Sequence, residues 1–253
     1  MGGAGAPGER LTFVGHSTVL FELGGKRILT DPVLRERILH IRRHAGAVAR
    51  ETTESIDAVL ISHLHADHLD PPSLRRVGIG TRIIAPAGSA RLLRRRGFRQ
   101  VTELAAGETT SVGDVTIEAS PVRHDGRRYP IGRPLEALGY AIRARTSVFF
   151  AGDTDQFDMS HLTGFDVALL PIAGWGPHLR GHIDPAGAAE AAATMKPRIA
   201  IPIHWATMLR LGLGHRAEEI LVRPAEKFAR RMAEVAPEVE ARILQPGETT
   251  ELV

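Results

Sequence analysis

The chain has 253 residues, of which 43% are hydrophobic and 24% charged, the balance of a soluble globular protein with room for a sizeable core. It contains no cysteine, which excludes disulfides and thiolate ligands together and leaves imidazole and carboxylate for any metal site. No apolar run is long enough to span a bilayer, and residues 1–8 lack the basic and apolar regions of a signal peptide, so the expected compartment is the cytoplasm.

The formal net charge is only +3 although the pI is about 9.8, and just three lysines and no asparagine occur beside abundant arginine. That pattern fits the codon bias of a GC-rich genome better than adaptation to a polyanion. Arg91, Arg94, Arg95, Arg96 and Arg99 cluster around one predicted helix, but Phe98 is the lone aromatic among them, so a solvated helix face is expected and nucleic-acid binding is not.

Residues 1–9 are a Gly-rich tail. Strands are predicted over 11–14, 18–23 and 27–30, with Gly24-Gly25 as a hairpin turn. His16 falls at a tight connection in Gly15-His16-Ser17, and Asp31-Pro32 closes the third strand. The basic, weakly amphipathic segment 33–50 predicts a surface helix, with a flap over a site as the alternative. After an apolar run at 56–61, Asp70-Pro71-Pro72 supplies an N-cap and a proline for a helix start. A β-α-β rhythm follows, with a strand at 82–85, a helix at 89–96 and a strand at 100–104. Then come strands at 109–112, 115–122, 139–144 and 147–151, a second antiparallel meander. Helices are predicted at 186–195 and 224–236, with short final strands at 242–244 and 249–252.

The stretch Ser62-His63-Leu64-His65-Ala66-Asp67-His68-Leu69-Asp70 sits between the apolar run and the helix start. Its three imidazoles and two carboxylates within eight residues are the density a metal site requires. His63 and His65, two apart, project to one side of extended backbone, while Asp67 and His68, past the bend, can turn toward a neighbouring ion. Two adjacent metals are the natural expectation. Further ligands should then lie at strand ends, where loops converge, and His124, Asp153 and His204 each follow an apolar strand. Singly, each is compatible with a surface, core or turn role; jointly with the dense stretch they form a ligand set.

His63, His65, Asp67 and His68 spell HxHxDH, and the chain resembles the metallo-β-lactamase-fold hydrolases. The resemblance implies an α/β architecture, a four-layer αββα sandwich of two similar halves, with residues 10–253 as a single domain. It implies that His63, His65 and His124 hold a first metal, that Asp67, His68 and His204 hold a second, and that Asp153 bridges them. Gly15-His16-Ser17-Thr18, Leu29-Thr30-Asp31-Pro32 and Pro202-Ile203-His204-Trp205 are similar to the N-acyl-phosphatidylethanolamine phospholipase D and ascorbate-6-phosphate lactonase-like group.

The activity so implied is hydrolysis by a water shared between two divalent ions, zinc first, with manganese or iron as alternatives. The preferred substrate is a phosphodiester, as in a phospholipase D or another phosphodiesterase. A phosphorylated sugar lactone is next, then RNA, and a non-enzymatic metal-binding protein is the contrasting class. Catalytic roles are assigned to Asp67 and Asp153, and to His182 and His16 as substrate-side candidates. His182 lies before a helix capped by Asp184 and Pro185, where Arg180 is near in sequence and an anionic substrate group would be favoured. Trp175, Trp205, Met208 and Leu209 are candidates for an apolar pocket wall or for core. The expected partner is a small molecule or lipid with an anionic group; peripheral membrane contact is compatible with the sequence, and the oligomeric state is open.

Overall fold

The computed structural model describes residues 8–128, 134–173 and 181–252. Arg10–Gly15 (β1), Thr18–Leu23 (β2) and Lys26–Thr30 (β3) form an antiparallel meander. Its β2–β3 turn is Gly24-Gly25, at φ 54° and 69°, the left-handed pair that a tight hairpin demands and that glycine adopts without strain.

The chain then leaves the sheet. Residues 33–50 are not helical: Arg37–Ile38 (β4) and Ile41–Arg43 (β5) form a two-residue hairpin, and one 3-10 turn follows at Arg50–Thr53. Ile38 and Ile41, three apart, read in sequence as neighbours on a helix face; here they are cross-strand partners, buried with Val33 and Met208.

Ala58–Leu60 (β6) joins β3 in parallel, and Pro71–Val77 (α1), Arg82–Pro86 (β7), Ala90–Arg95 (α2) and Val101–Leu104 (β8) continue the parallel part. The second half repeats this plan. Thr109–Val112 (β9), Val115–Asp125 (β10), Glu136–Arg143 (β11) and Ser147–Phe150 (β12) make an antiparallel meander. Val167–Pro171 (β13), Pro185–Met195 (α3) and Ile199–Ile203 (β14) extend it in parallel. Met208–Arg210 (β15) pairs with β5; Ala217–Leu221 (α4) and Arg223–Val235 (α5) follow; Glu240–Ala241 (β16) joins β14, and Glu248–Glu251 (β17) returns to pair with β1.

The result is two seven-stranded sheets, ordered β17-β1-β2-β3-β6-β7-β8 and β16-β14-β13-β12-β11-β10-β9, with a small sheet β15-β5-β4 beside them. Alternation within strands decides the layering. In β2, Val19, Phe21 and Leu23 enter the core shared with the second sheet, and Leu20 faces the outer cluster with Leu74 and Leu93 of α1 and α2. On the far side, Ala188 and Ala192 of α3 and Phe228 and Met232 of α5 cover the second sheet, so helices flank both sheets as the αββα arrangement requires. Each fully buried Phe, Leu, Ile or Val contributes about 1.5–3 kcal/mol, and these four types make up most of the shared core.

Beside the dense stretch, three hydrogen bonds join the two halves. The buried Tyr140 hydroxyl of β11 donates to Ile61 O at 2.7 Å, Leu138 N–H donates to Ser62 O at 2.9 Å, and Leu64 N–H donates to Gly126 O at 3.0 Å. Gly152 permits this closeness, since a Cβ there would lie 2.6 Å from Ser62 Cβ. The seam runs beside His63.

Candidate metal centre

Three loops leaving strand ends meet at the seam. The first is the turn between β1 and β2. A Cβ on Gly15 would lie 2.6 Å from Thr207 Oγ1, so only glycine fits, and His16 follows at φ 59° with its N–H donating to that oxygen at 2.7 Å. The second is the dense stretch after β6. The third runs on from β14, where His204, at φ 63°, donates its N–H to His16 O at 2.9 Å. Left-handed backbone at two non-glycine residues of one cluster marks a conformation imposed by the surroundings.

The structure brings all nine candidate residues together. His63, His65 and His124 form one group: His63 Nε2 lies 2.9 Å and His124 Nε2 3.3 Å from His65 Nδ1. His16, Asp67, His68 and His204 form a second, within which His16 Nε2 lies 3.3 Å from Asp67 Oδ2. Asp153 lies between them, its Oδ2 3.2 Å from His68 Nε2, 3.3 Å from His204 Nε2 and 3.9 Å from His63 Nε2. His182 Nδ1 is 3.5 Å from the same oxygen, on the side of His124. His124 lies within β10 itself, which runs to Asp125, three residues beyond the predicted strand end.

The buried atoms fit cations. Asp153 Oδ1, His68 Nε2 and His182 Nδ1 are buried without a hydrogen-bond partner, a costly arrangement that bound metal ions would relieve. The protonation states of four rings agree with this. Burial, with His204 next to it, pushes His16 down to about 3, and burial pushes His182 down to about 4. Burial also lowers His63 and His65, so these four rings are neutral near pH 7, as ligands must be. Burial alone would raise Asp153, but His204, His68 and His182 hold it well below the usual carboxylate range. Burial would lower His68; Asp153 and Asp31 on its two sides raise it instead.

Asp31 is the residue that sequence reasoning missed. Fully buried at φ 36°, it accepts from Ser62 N–H at 2.7 Å, Ser62 Oγ–H at 2.5 Å and His68 Nδ1–H at 2.8 Å, so it fixes the ring of His68 with Nε2 toward Asp153 and Asp67. Its signal was a polar residue directly after a buried strand and before a proline, which resembles ordinary turn chemistry. On the opposite side, His124 Nδ1–H donates to Gly181 O at 2.7 Å. Arg128 donates to Leu64 O at 3.1 Å and Leu69 O at 2.6 Å and braces the dense loop.

Other sequence expectations resolve as core. Trp205 is 4% exposed, stacks on Phe13 at 6.4 Å between ring centroids and donates to Pro202 O. Leu209 is buried, while Trp205 and Met208 also border a small pocket reached by His16 and His204. Trp175 and Arg180 lie outside the described residues.

Comparison with known proteins agrees with this geometry. A family profile described as "Beta-lactamase superfamily domain" matches residues 26–205. A UPF0173 metal-dependent hydrolase of Opitutus terrae is 32% identical over 255 residues, covering 96% of this chain and 100% of its own. An N-acyl-phosphatidylethanolamine-hydrolyzing phospholipase D of Caenorhabditis elegans is 29% identical, over 78% of this chain and 63% of that protein. Among solved structures, Igni18, a metallo hydrolase of Ignicoccus hospitalis, superposes with a TM-score of 0.69 at 24% identity, covering 96% of this chain and 97% of that one. An isothiocyanate hydrolase from Delia radicum gut bacteria does so at 0.73 and 21%, over 95% and 98%. These two show the shared fold. With its fold, its histidine and aspartate cluster and these relatives in agreement, the chain belongs to the metallo-β-lactamase superfamily, among the UPF0173 metal-dependent hydrolases.

Proposed function

We propose that this metal-dependent hydrolase is binuclear and cleaves a phosphodiester, as a phospholipase D or a related phosphodiesterase does. One observation carries the binuclear part: a single oxygen of Asp153 stands within 4 Å of imidazoles from both groups, so one carboxylate would be within reach of an ion held by either. His63, His65 and His124 would hold one ion and Asp67, His68 and His204, with His16 beside them, the other; zinc suits this donor set, as do manganese and iron. Two such ions supply Lewis acidity, lowering the pKa of a water and stabilising charge on the attacked phosphoryl group.

The side chains do the rest. Asp67, with its side chain 13% exposed, is placed to accept a proton from the attacking water. His182 has the same 13% exposure; being neutral, it keeps one ring proton to offer to a non-bridging oxygen or to the leaving group. Asp31 and Gly181 O keep His68 and His124 from rotating as charge develops. The phosphodiester preference draws support from the Caenorhabditis elegans relative and from the shared Gly-His-Ser and Thr-Asp-Pro segments.

The test is turnover by protein reconstituted separately with zinc and with manganese, offered an aryl phosphodiester and a panel of lactones. Diester cleavage that falls at least about a hundredfold in His65→Ala is expected. Lactone opening without diester cleavage would transfer the protein to the lactonases, and silence toward both would count against hydrolysis of either class.

A further inference from the structure

Four large apolar side chains are strongly exposed among the described residues: Leu39 (69%), Ile79 (57%), Val222 (45%) and Leu211 (43%). Three of them surround the small sheet. Leu39 is the first turn residue of the β4–β5 hairpin; Leu211 follows β15, its N–H donating to His40 O at 2.9 Å; Val222 ends α4, which packs on β15. Leu39 sits at φ 50°, a left-handed position that glycine or asparagine would fill without strain. A leucine that is both strained and in water contributes nothing to folding, so its place calls for contact with something outside the chain.

Basic residues crowd Leu39 and Leu211, with Glu36, Glu218 and Glu219 at the margin of the face. Residues 37–44 and 206–216 contain no Asp or Glu, and the exposed Arg37, Arg42 and Arg210 make no ion pair among the described residues. The surface also touches the candidate centre. Arg43 donates to Val14 O and His44 N–H to Thr207 O, both at 2.7 Å, which mounts the small sheet on the loops carrying His16 and His204. Between them lies the small pocket lined by His16, His204, Met208, Ile220 and Leu221.

We infer that this face docks on an anionic lipid bilayer, with Leu39 and Leu211 entering the acyl boundary and Arg37, Arg42 and Arg210 at the headgroups, which sets the metal centre at the membrane surface. Apolar tips ringed by unpaired cations are what such an interface binds. Nucleic acid would leave the leucines without a base-stacking partner. The inference goes beyond the proposed reaction and does not depend on which bond is cleaved.

The experiment is co-sedimentation with vesicles of phosphatidylcholine alone or mixed with phosphatidylglycerol, at low and high salt. Wild type should pellet with the mixed vesicles and be released by salt. Leu39→Asp/Leu211→Asp should bind roughly tenfold or more weakly. Leu39→Gly, which relaxes the turn and so keeps the fold, should also bind more weakly while cleaving a soluble aryl phosphodiester as wild type does. Absence of binding to the mixed vesicles, equal binding by the variants, or a concentration-dependent dimer dissolved by Leu39→Asp would each overturn the inference. Vesicle binding by a protein silent toward every ester would instead overturn the proposed reaction alone.

Discussion

The two ligand groups differ in how they are built. In the group of His63, His65 and His124 the donors are all imidazole, and His65 and His124 are partly exposed. In the group of His16, Asp67, His68 and His204 the three rings are buried, a carboxylate is present, and Asp31 holds one ring from behind. A neutral, partly open set and a charged, enclosed one ask different things of an ion. The enclosed set should bind more tightly and release more slowly, because leaving requires re-exposing charge to a site that water barely reaches.

The largest expected effect is therefore an asymmetry on chelation. Dialysis against a chelator, followed by metal analysis, should remove one ion per chain quickly and the second slowly. His65→Ala should abolish the fast ion and His204→Ala the slow one, and loss of both at a single rate would break the comparison. Asp31→Asn should be intermediate: metal affinity about 10–100-fold weaker at the slow position, with the fast one unchanged in a titration followed by calorimetry. If both positions weaken equally, Asp31 acts on the fold and not on His68.

The smallest effect belongs to a residue that touches both halves and neither group. Glu9, placed in the tail by sequence, is buried; it accepts from Gly24 N–H at 3.0 Å in the first sheet's hairpin and from Thr146 N–H at 2.7 Å in the second's. Burial opposes its ionisation, but the bonds from Thr146 and Gly24 prevail and hold it below the ordinary glutamate range. A depressed carboxylate stabilises the fold above its unfolded pKa, and that contribution is lost as pH falls through the lowered folded value. Glu9→Gln should cost about 1–3 kcal/mol in denaturant unfolding at neutral pH, with the gap to wild type closing on acidification and the two release rates unaltered.

The dense stretch was legible because ligand spacing along one loop is a local property, and His124, Asp153 and His204 were legible because each follows a recognisable apolar strand. Asp31 was hidden because its meaning depends on Ser62 and His68, which only the parallel pairing of β3 with β6 brings beside it. The hairpin was hidden for a geometric reason. A spacing of three places Ile38 and Ile41 together on a helix and equally across a two-residue turn, and the choice is made by β15, whose Met208–Arg210 lies about 165 residues farther along and offers β5 an edge to pair with.

Strand β17 also bears on how the molecule comes to exist. Thr249 Oγ1 lies 2.8 Å from Thr12 Oγ1, 237 positions earlier in the chain, and β17 covers the edge of β1 from Arg10 to Phe13. During synthesis that edge emerges 237 residues ahead of its cover, so a hydrophobic meander waits unprotected through that interval. The same delay applies to His16, whose neighbour His204 appears 188 residues later. The enclosed ligand group therefore has no structure to bind into until both halves have docked, which makes it a late checkpoint of folding, and β17 is the latch that closes after it.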